Sequence, residues 1–179
     1  MAKDWVSLLL CARHEQSRQT SIEDVIFADY SEASAAVSAL NGSSSKWLKR
    51  ARDLMVKMYG NRLSLCSLCI IRWNSMQACF ASLLRVQSAL QMLTKQSHGD
   101  DEFPTALSVV LRDYFWQDLK RAERVIAPLS LASYRLQRDR NTVGDVIQSF
   151  GAIYLGFKQA PQHREELVAC VEQRWKKCE

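Results

Sequence analysis

Two short groups of soft ligands are the first candidates for chemistry. Cys11-Ala12-Arg13-His14 and Cys66-Ser67-Leu68-Cys69 supply thiols and an imidazole in two pairs at the spacing of zinc ligands. The second pair, however, lies in an apolar run without the Gly, Lys or polar turn residues of a zinc knuckle. Its alternate thiols read as core packing, and no metal site is expected. A cysteine nucleophile would need a base beside it. His98 and His163 sit in polar loop or helix-start contexts, and nothing in the sequence brings either to a thiol. The carboxylates Asp100-Asp101-Glu102 read as a solvated loop, and Glu165-Glu166 as the first turn of a helix, where negative charge complements the macrodipole. All six glycines are isolated, so no phosphate-cradling loop is present. The expectation is therefore no catalytic residues, no cofactor and no enzyme.

Binding chemistry has more to rest on. Residues 46–62 hold Lys46, Lys49, Arg50, Arg52, Lys57 and Arg62 against Asp53 alone, a local charge of +5. The remainder of the chain balances, 18 basic against 18 acidic residues. Such a cluster suits an acidic partner such as nucleic acid, although the solvated face of a helix has the same composition. A few residues on, Arg72-Trp73-Asn74-Ser75 places an indole and a guanidinium just ahead of a helix N-terminus. The indole can stack on a base, the arginine can pair with phosphate, and the helix start favours an anion. A buried Trp73 with Arg72 as a surface charge is the structural alternative.

The elements that would position these groups are mostly helices. Six Gly and three Pro in 179 residues leave few turns for a sandwich or barrel, and 47% hydrophobic residues suffice for one sizeable core. Capping-box spacing at Thr20/Glu23 or Ser21/Asp24 opens a helix that runs to Leu40. Residues 41–45 read as a flexible loop. Trp47, Leu48, Ala51, Leu54, Met55 and Met58 form one face of a helix ending near Gly60, with the basic residues mostly on its other side. The run over residues 63–71 is the best strand candidate. Met76, Cys79, Phe80, Leu83, Leu84, Leu90 and Leu93 then mark a single helix up to an acidic loop at 97–104. A short helix over 105–112 precedes a longer one carrying Phe115, Leu119, Ala122, Ile126, Leu129 and Ser133, with Pro128 expected to kink or break it. Asn141-Thr142 with Asp145 opens the next helix, and Pro161 the last. The fold class is a mostly α, irregular multi-helix bundle of one domain over residues 1–179, with at most one short strand near 63–71.

No apolar stretch is long enough to span a membrane, and the one from Trp5 to Ala12 lacks a signal-peptide cleavage site. An intracellular, reducing setting with free cysteines is expected.

Several stretches together resemble the hAT superfamily of cut-and-paste DNA transposases. They are Tyr59-Gly60 through Leu63-Ser64-Leu65, then Arg72-Trp73-Asn74-Ser75 leading into Leu83-Leu84-Arg85, and later Phe115-Trp116, Leu136-Gln137-Arg138-Asp139 and Arg174-Trp175. The resemblance runs over most of residues 25–179. It implies a ribonuclease H-like region whose Asp, Asp, Glu triad is interrupted by a helical insertion. Within it, Cys11 and His14 match the order of the Cys/Asp-x-x-His motif, and Arg72-Trp73 matches the Arg-Trp dipeptide, whose tryptophan stabilises a flipped base in that family. Ile71 stands where the family usually has Thr. Asp4 lies upstream of Cys11 in a context unlike the family's, so the triad is incomplete or absent. The resemblance thus implies a non-catalytic fragment, mainly the helical insertion, in the nucleus, with sequence-tolerant binding of nucleic acid. A competing expectation is a helical protein-interaction module with Trp5, Trp47, Trp116 or Trp175 exposed as an anchor.

Overall fold

The computed structural model describes residues 22–42, 46–68, 73–97, 99–138, 140–160 and 163–177, with the side chains of 22–30 and of Trp73 outside that description. The chain is mostly α, and the described residues contain no strand. In order they form α1 (Ile22–Gly42), α2 (Lys46–Tyr59), α3 (Trp73–Arg85), α4 (Gln87–Gln96), a 3-10 helix (Thr105–Leu111), α5 (Asp113–Leu136), α6 (Val143–Lys158) and α7 (Arg164–Lys176). Internal contacts divide the chain into two compact units, one of Phe27–Glu123 and one that takes in Arg124 onward, so the division falls inside α5.

In the first unit, α1 buries Ala33, Ala36, Val37 and Leu40 at helical spacing. Asn41 and Gly42 close that helix rather than beginning a loop, and residues 43–45 lie outside the described residues. Trp47, Ala51 and Met55 recur every four residues as the buried face of α2, which packs against α4. Gly60, at φ +76, ends α2 in the left-handed conformation that glycine adopts without steric penalty, and its N–H donates to the Val56 carbonyl.

The single helix expected from Asn74 to the acidic loop is two helices. Val86 adopts φ −109 and ψ 14, which interrupts the helical run, yet its side chain and those of Leu83, Ala89, Leu90 and Leu93 remain buried. The 3-10 helix packs on α4 and buries Leu107, Val109 and Val110. Beyond it, Trp116 is buried and its indole N–H donates to the Val110 carbonyl at 2.7 Å.

The strand expected near 63–71 is absent over its described part, residues 63–68, which is irregular. Side chains take the place of a ladder there. The Cys66 N–H donates to Ser82 Oγ at 3.0 Å, Arg85 donates to the Ser64 carbonyl at 3.4 Å, and Asn41 donates to Ser67 Oγ at 2.9 Å. Alternating apolar residues are thereby held against helices without a partner strand.

In the second unit, α5 continues through Pro128 rather than breaking there. Gly156 of α6 explains how the ring is housed: a Cβ at that position would lie 2.4 Å from Pro128 Cγ. The expected Thr142/Asp145 start of α6 is a full capping box, with Thr142 Oγ1 accepting from the Asp145 N–H at 3.2 Å and the Asp145 carboxylate accepting from the Thr142 N–H at 2.8 Å. The Thr142 N–H and, at 2.7 Å, the Thr142 hydroxyl both donate to the Asp145 carboxylate and hold that carboxyl below its ordinary range. The last helix begins at Arg164 with His163 as its N-cap, and it packs on α6 through Leu167 and Val171. Glu165 and Glu166 occupy its first turn, as expected.

Candidate nucleic-acid interface on α2

Helical spacing sorts the basic residues of α2 around its axis. With Trp47, Ala51 and Met55 inward, Lys49, Asp53 and Val56 fall on the opposite, outward strip, Arg52 on one flank, and Lys46, Arg50 and Lys57 on the other. Lys49, Arg50, Arg52, Lys57 and Arg62 are exposed and Lys46 half-buried. The structure thus brings five of the sequence-predicted cations onto one helix, and the sixth, Arg62, follows two residues after Gly60.

Two of the six are already engaged. Lys46 Nζ lies 2.5 Å from Glu102 Oε2 and 3.5 Å from Asp100 Oδ2, and Arg50 Nη1 lies 3.5 Å from the same Asp100 oxygen. The Glu102 hydrogen bond, with Asp100 adding to it, raises the Lys46 pKa. Asp100 is lowered, first by the Glu102 N–H that donates to it and then by the Lys46 and Arg50 charges. Beneath these ion pairs, Trp47 packs edge-on against Phe103 at 5.0 Å between centroids, and Lys46 and Arg50 sit 4.9 and 4.8 Å from the Trp47 ring centre. The acidic segment is therefore no freely solvated loop: an aromatic pair and three ion pairs fasten it to the basic helix.

The other four cations, Lys49, Arg52, Lys57 and Arg62, have no carboxylate partner among the described residues. An open cleft of about 350 Å³, which only Lys57 of these four lines, runs between α2 and α4, with Arg50, Asp53 and Lys57 on one side and Gln96 and Ser97 on the other. Its mixed charge does not single out an anion.

Of the remaining expected groups, Arg72, Cys11 and His14 lie outside the described residues. Trp73 is the first residue of α3. Cys69 also lies outside the described residues. Cys66 is half-buried and Cys79 fully buried, and burial, with Cys66 nearby, pushes the Cys79 thiol up to about 12. Among the described residues no three His, Cys, Asp or Glu side chains gather as a metal site requires. No described helix is long and apolar enough to cross a membrane.

Asp100, Glu102 and Phe103 are the participants that sequence reasoning did not connect to α2. Lys46 and Glu102 are 56 residues apart, and only the opposite charge of the two segments hinted at the pairing. Compared with protein-family models, with curated proteins and with solved structures, the chain matches none of them.

Proposed function

We propose that this chain is a non-catalytic helical protein that binds nucleic acid through the phosphate backbone, using the outward face of α2 and the residues just after it. The observation that carries this reading is the group of four exposed cations, Lys49, Arg52, Lys57 and Arg62, without a carboxylate partner among the described residues. Phosphate contacts of this kind position a protein on its ligand without reading bases. Trp47, the tryptophan of α2, is buried against Phe103 and offers no stacking platform, so this helix meets its ligand through phosphate contacts, which are sequence-tolerant. The residues resembling hAT transposases give the same expectation by an independent route, with an origin in such a transposase and a nuclear location as its corollaries.

Salt dependence tests the reading. Four phosphate contacts give a log–log slope of up to about −3.6, so affinity falls roughly a hundred-fold between 50 and 200 mM salt. A fluorescently labelled 20-base-pair DNA duplex, titrated at both concentrations, is expected to show that loss. Lys49→Gln with Arg52→Gln is expected to weaken binding at least tenfold. No affinity for the duplex at 50 mM, or full affinity in the double variant, overturns the reading.

A second reading, a protein-interaction module, draws on a different surface. Trp47 and Trp116 are buried and cannot anchor a partner, but Trp175 is 37% exposed. On α6 the residues Val143, Ile147 and Leu155 are 76%, 52% and 60% exposed, four or eight residues apart, an apolar stripe without a charge among them. Binding of a partner that is lost on Ile147→Lys and untouched by Lys49→Gln would favour it.

A further inference from the structure

We infer that the segment Asp100–Glu102 is a tethered competitor of nucleic acid: its carboxylates hold Lys46 and Arg50 on the flank of α2 and must be displaced before the full basic face engages phosphate. The inference rests on the nucleic-acid reading of α2 and concerns how that face is regulated.

Three observations carry it. First, the contacts are directed: Asp100 Oδ2 reaches both Lys46 and Arg50 at 3.5 Å, and Glu102 Oε2 reaches Lys46 at 2.5 Å. A dispersed surface would pair cations with carboxylates at random, whereas here one loop supplies every carboxylate bound to α2 among the described residues. Second, the anchoring of the loop is apolar. Phe103 sits edge-on to the buried Trp47, a contact that salt does not screen, so the carboxylates stay beside the helix whether or not they are ion-paired. Third, the loop is internally shaped to present its acids. The Asp100 N–H donates to the Ser97 carbonyl, the Phe103 N–H to the Asp100 carbonyl, and the Glu102 N–H to Asp100 Oδ1. Gly99, at φ +95, turns the chain in a conformation that a side chain would strain.

A carboxylate pair tethered this closely acts at an effective concentration in the millimolar range, against which nucleic acid in solution must compete. The charge balance gives the scale: the acids at 100–102 reduce the +5 of residues 46–62 to +2. Exposed ion pairs are individually weak, so the competitor sets a threshold and does not block binding outright. Each additional phosphate contact is worth up to about eightfold at 0.1 M salt, and releasing both cations up to about sixtyfold.

The test uses the full chain and the same labelled 20-base-pair DNA duplex. Asp100→Asn with Glu102→Gln keeps the loop's shape and Phe103 while removing the two pairing charges. Asp101→Asn with Asp113→Asn removes two charges that make no ion pair with α2, and so reports the general change in field. The inference expects the first variant to bind several-fold tighter than the control pair, with a salt slope steeper by up to about 1.8, and Lys46→Gln with Arg50→Gln in the same background to cancel the gain. Wild-type binding that the first variant improves no more than the control pair does overturns the inference and leaves the reading of α2 intact. No binding by either protein at 50 mM salt overturns both.

Discussion

Gly156 offers the sharpest test of how the second unit is packed. Replacing it with alanine places a methyl group 2.4 Å from Pro128 Cγ and 3.0 Å from Pro128 Cβ, about 1 Å inside ordinary contact. A proline ring cannot rotate aside, and Pro128 lies within α5, so relief requires α5 and α6 to move apart. Overpacking of this kind costs about 1–3 kcal/mol. Alanine is also the better helix former, worth up to about 1 kcal/mol, so Gly156→Ala is expected to be neutral to about 2 kcal/mol destabilising. Gly151 supplies the control within the same helix: nothing lies within 4 Å of its would-be Cβ, and Gly151→Ala is expected to stabilise by about 1 kcal/mol. The two single-methyl variants should then differ by roughly 1–3 kcal/mol, or about 2–12 °C in Tm for a chain of this size. Thermal and urea unfolding followed by circular dichroism measure the difference. Adding Pro128→Ala completes a double-mutant cycle, in which the Gly156→Ala penalty should vanish. If Gly156→Ala is as stabilising as Gly151→Ala, the account of how α5 carries its proline is wrong.

Four further outcomes follow from other contacts. Thr142→Ala removes a cap of α6 and should cost about 1 kcal/mol, read from the urea midpoint. Asp145 is held below its ordinary pKa by the Thr142 bonds, so its contribution is complete above about pH 4 and lost as pH falls through the folded value; the acid side of a Tm-against-pH profile should be shallower in Asp145→Asn. Trp116→Phe leaves the Val110 carbonyl without the indole donor and should destabilise by about 1–3 kcal/mol in urea unfolding at 25 °C, whereas a loss below about 0.5 kcal/mol would mean that the bond contributes little. Cys79, buried and with its thiol near 12, should resist a maleimide at pH 8 in the native protein and react once unfolded, which peptide mass mapping resolves.

What the sequence revealed and what it concealed divide along the range of the interactions. The Thr142/Asp145 capping box was legible because its bonds span three residues, and the inward face of α2 because Trp47, Ala51 and Met55 repeat within one helix. The apolar alternation after Leu63 suggested a strand because nothing local announces that Ser82, Arg85 and Asn41 will satisfy its backbone and side chains. Whether Pro128 would break its helix was not legible, because the space that Gly156 leaves for its ring lies 28 residues away. For the interface the cations themselves were plain, since charge is read directly from composition. Their division into engaged and unengaged sets was not, because it depends on a loop some 50 residues downstream, whose Phe103 finds Trp47 only in the folded chain.

The segment from Leu63 to Leu68 has a bearing on solubility. Leu-Ser-Leu-Cys-Ser-Leu, which runs on in sequence into Cys-Ile-Ile, is uncharged, lacks proline and glycine and alternates in the manner of chains that stack into cross-β fibrils. In the native fold Ser82 holds the Cys66 amide and Arg85 the Ser64 carbonyl, groups that would otherwise be open to a second molecule. The same side chains that replace a ladder thus act as guards against intermolecular pairing. Damage to them would be felt first as aggregation on heating or at high concentration, before the helices around them melt.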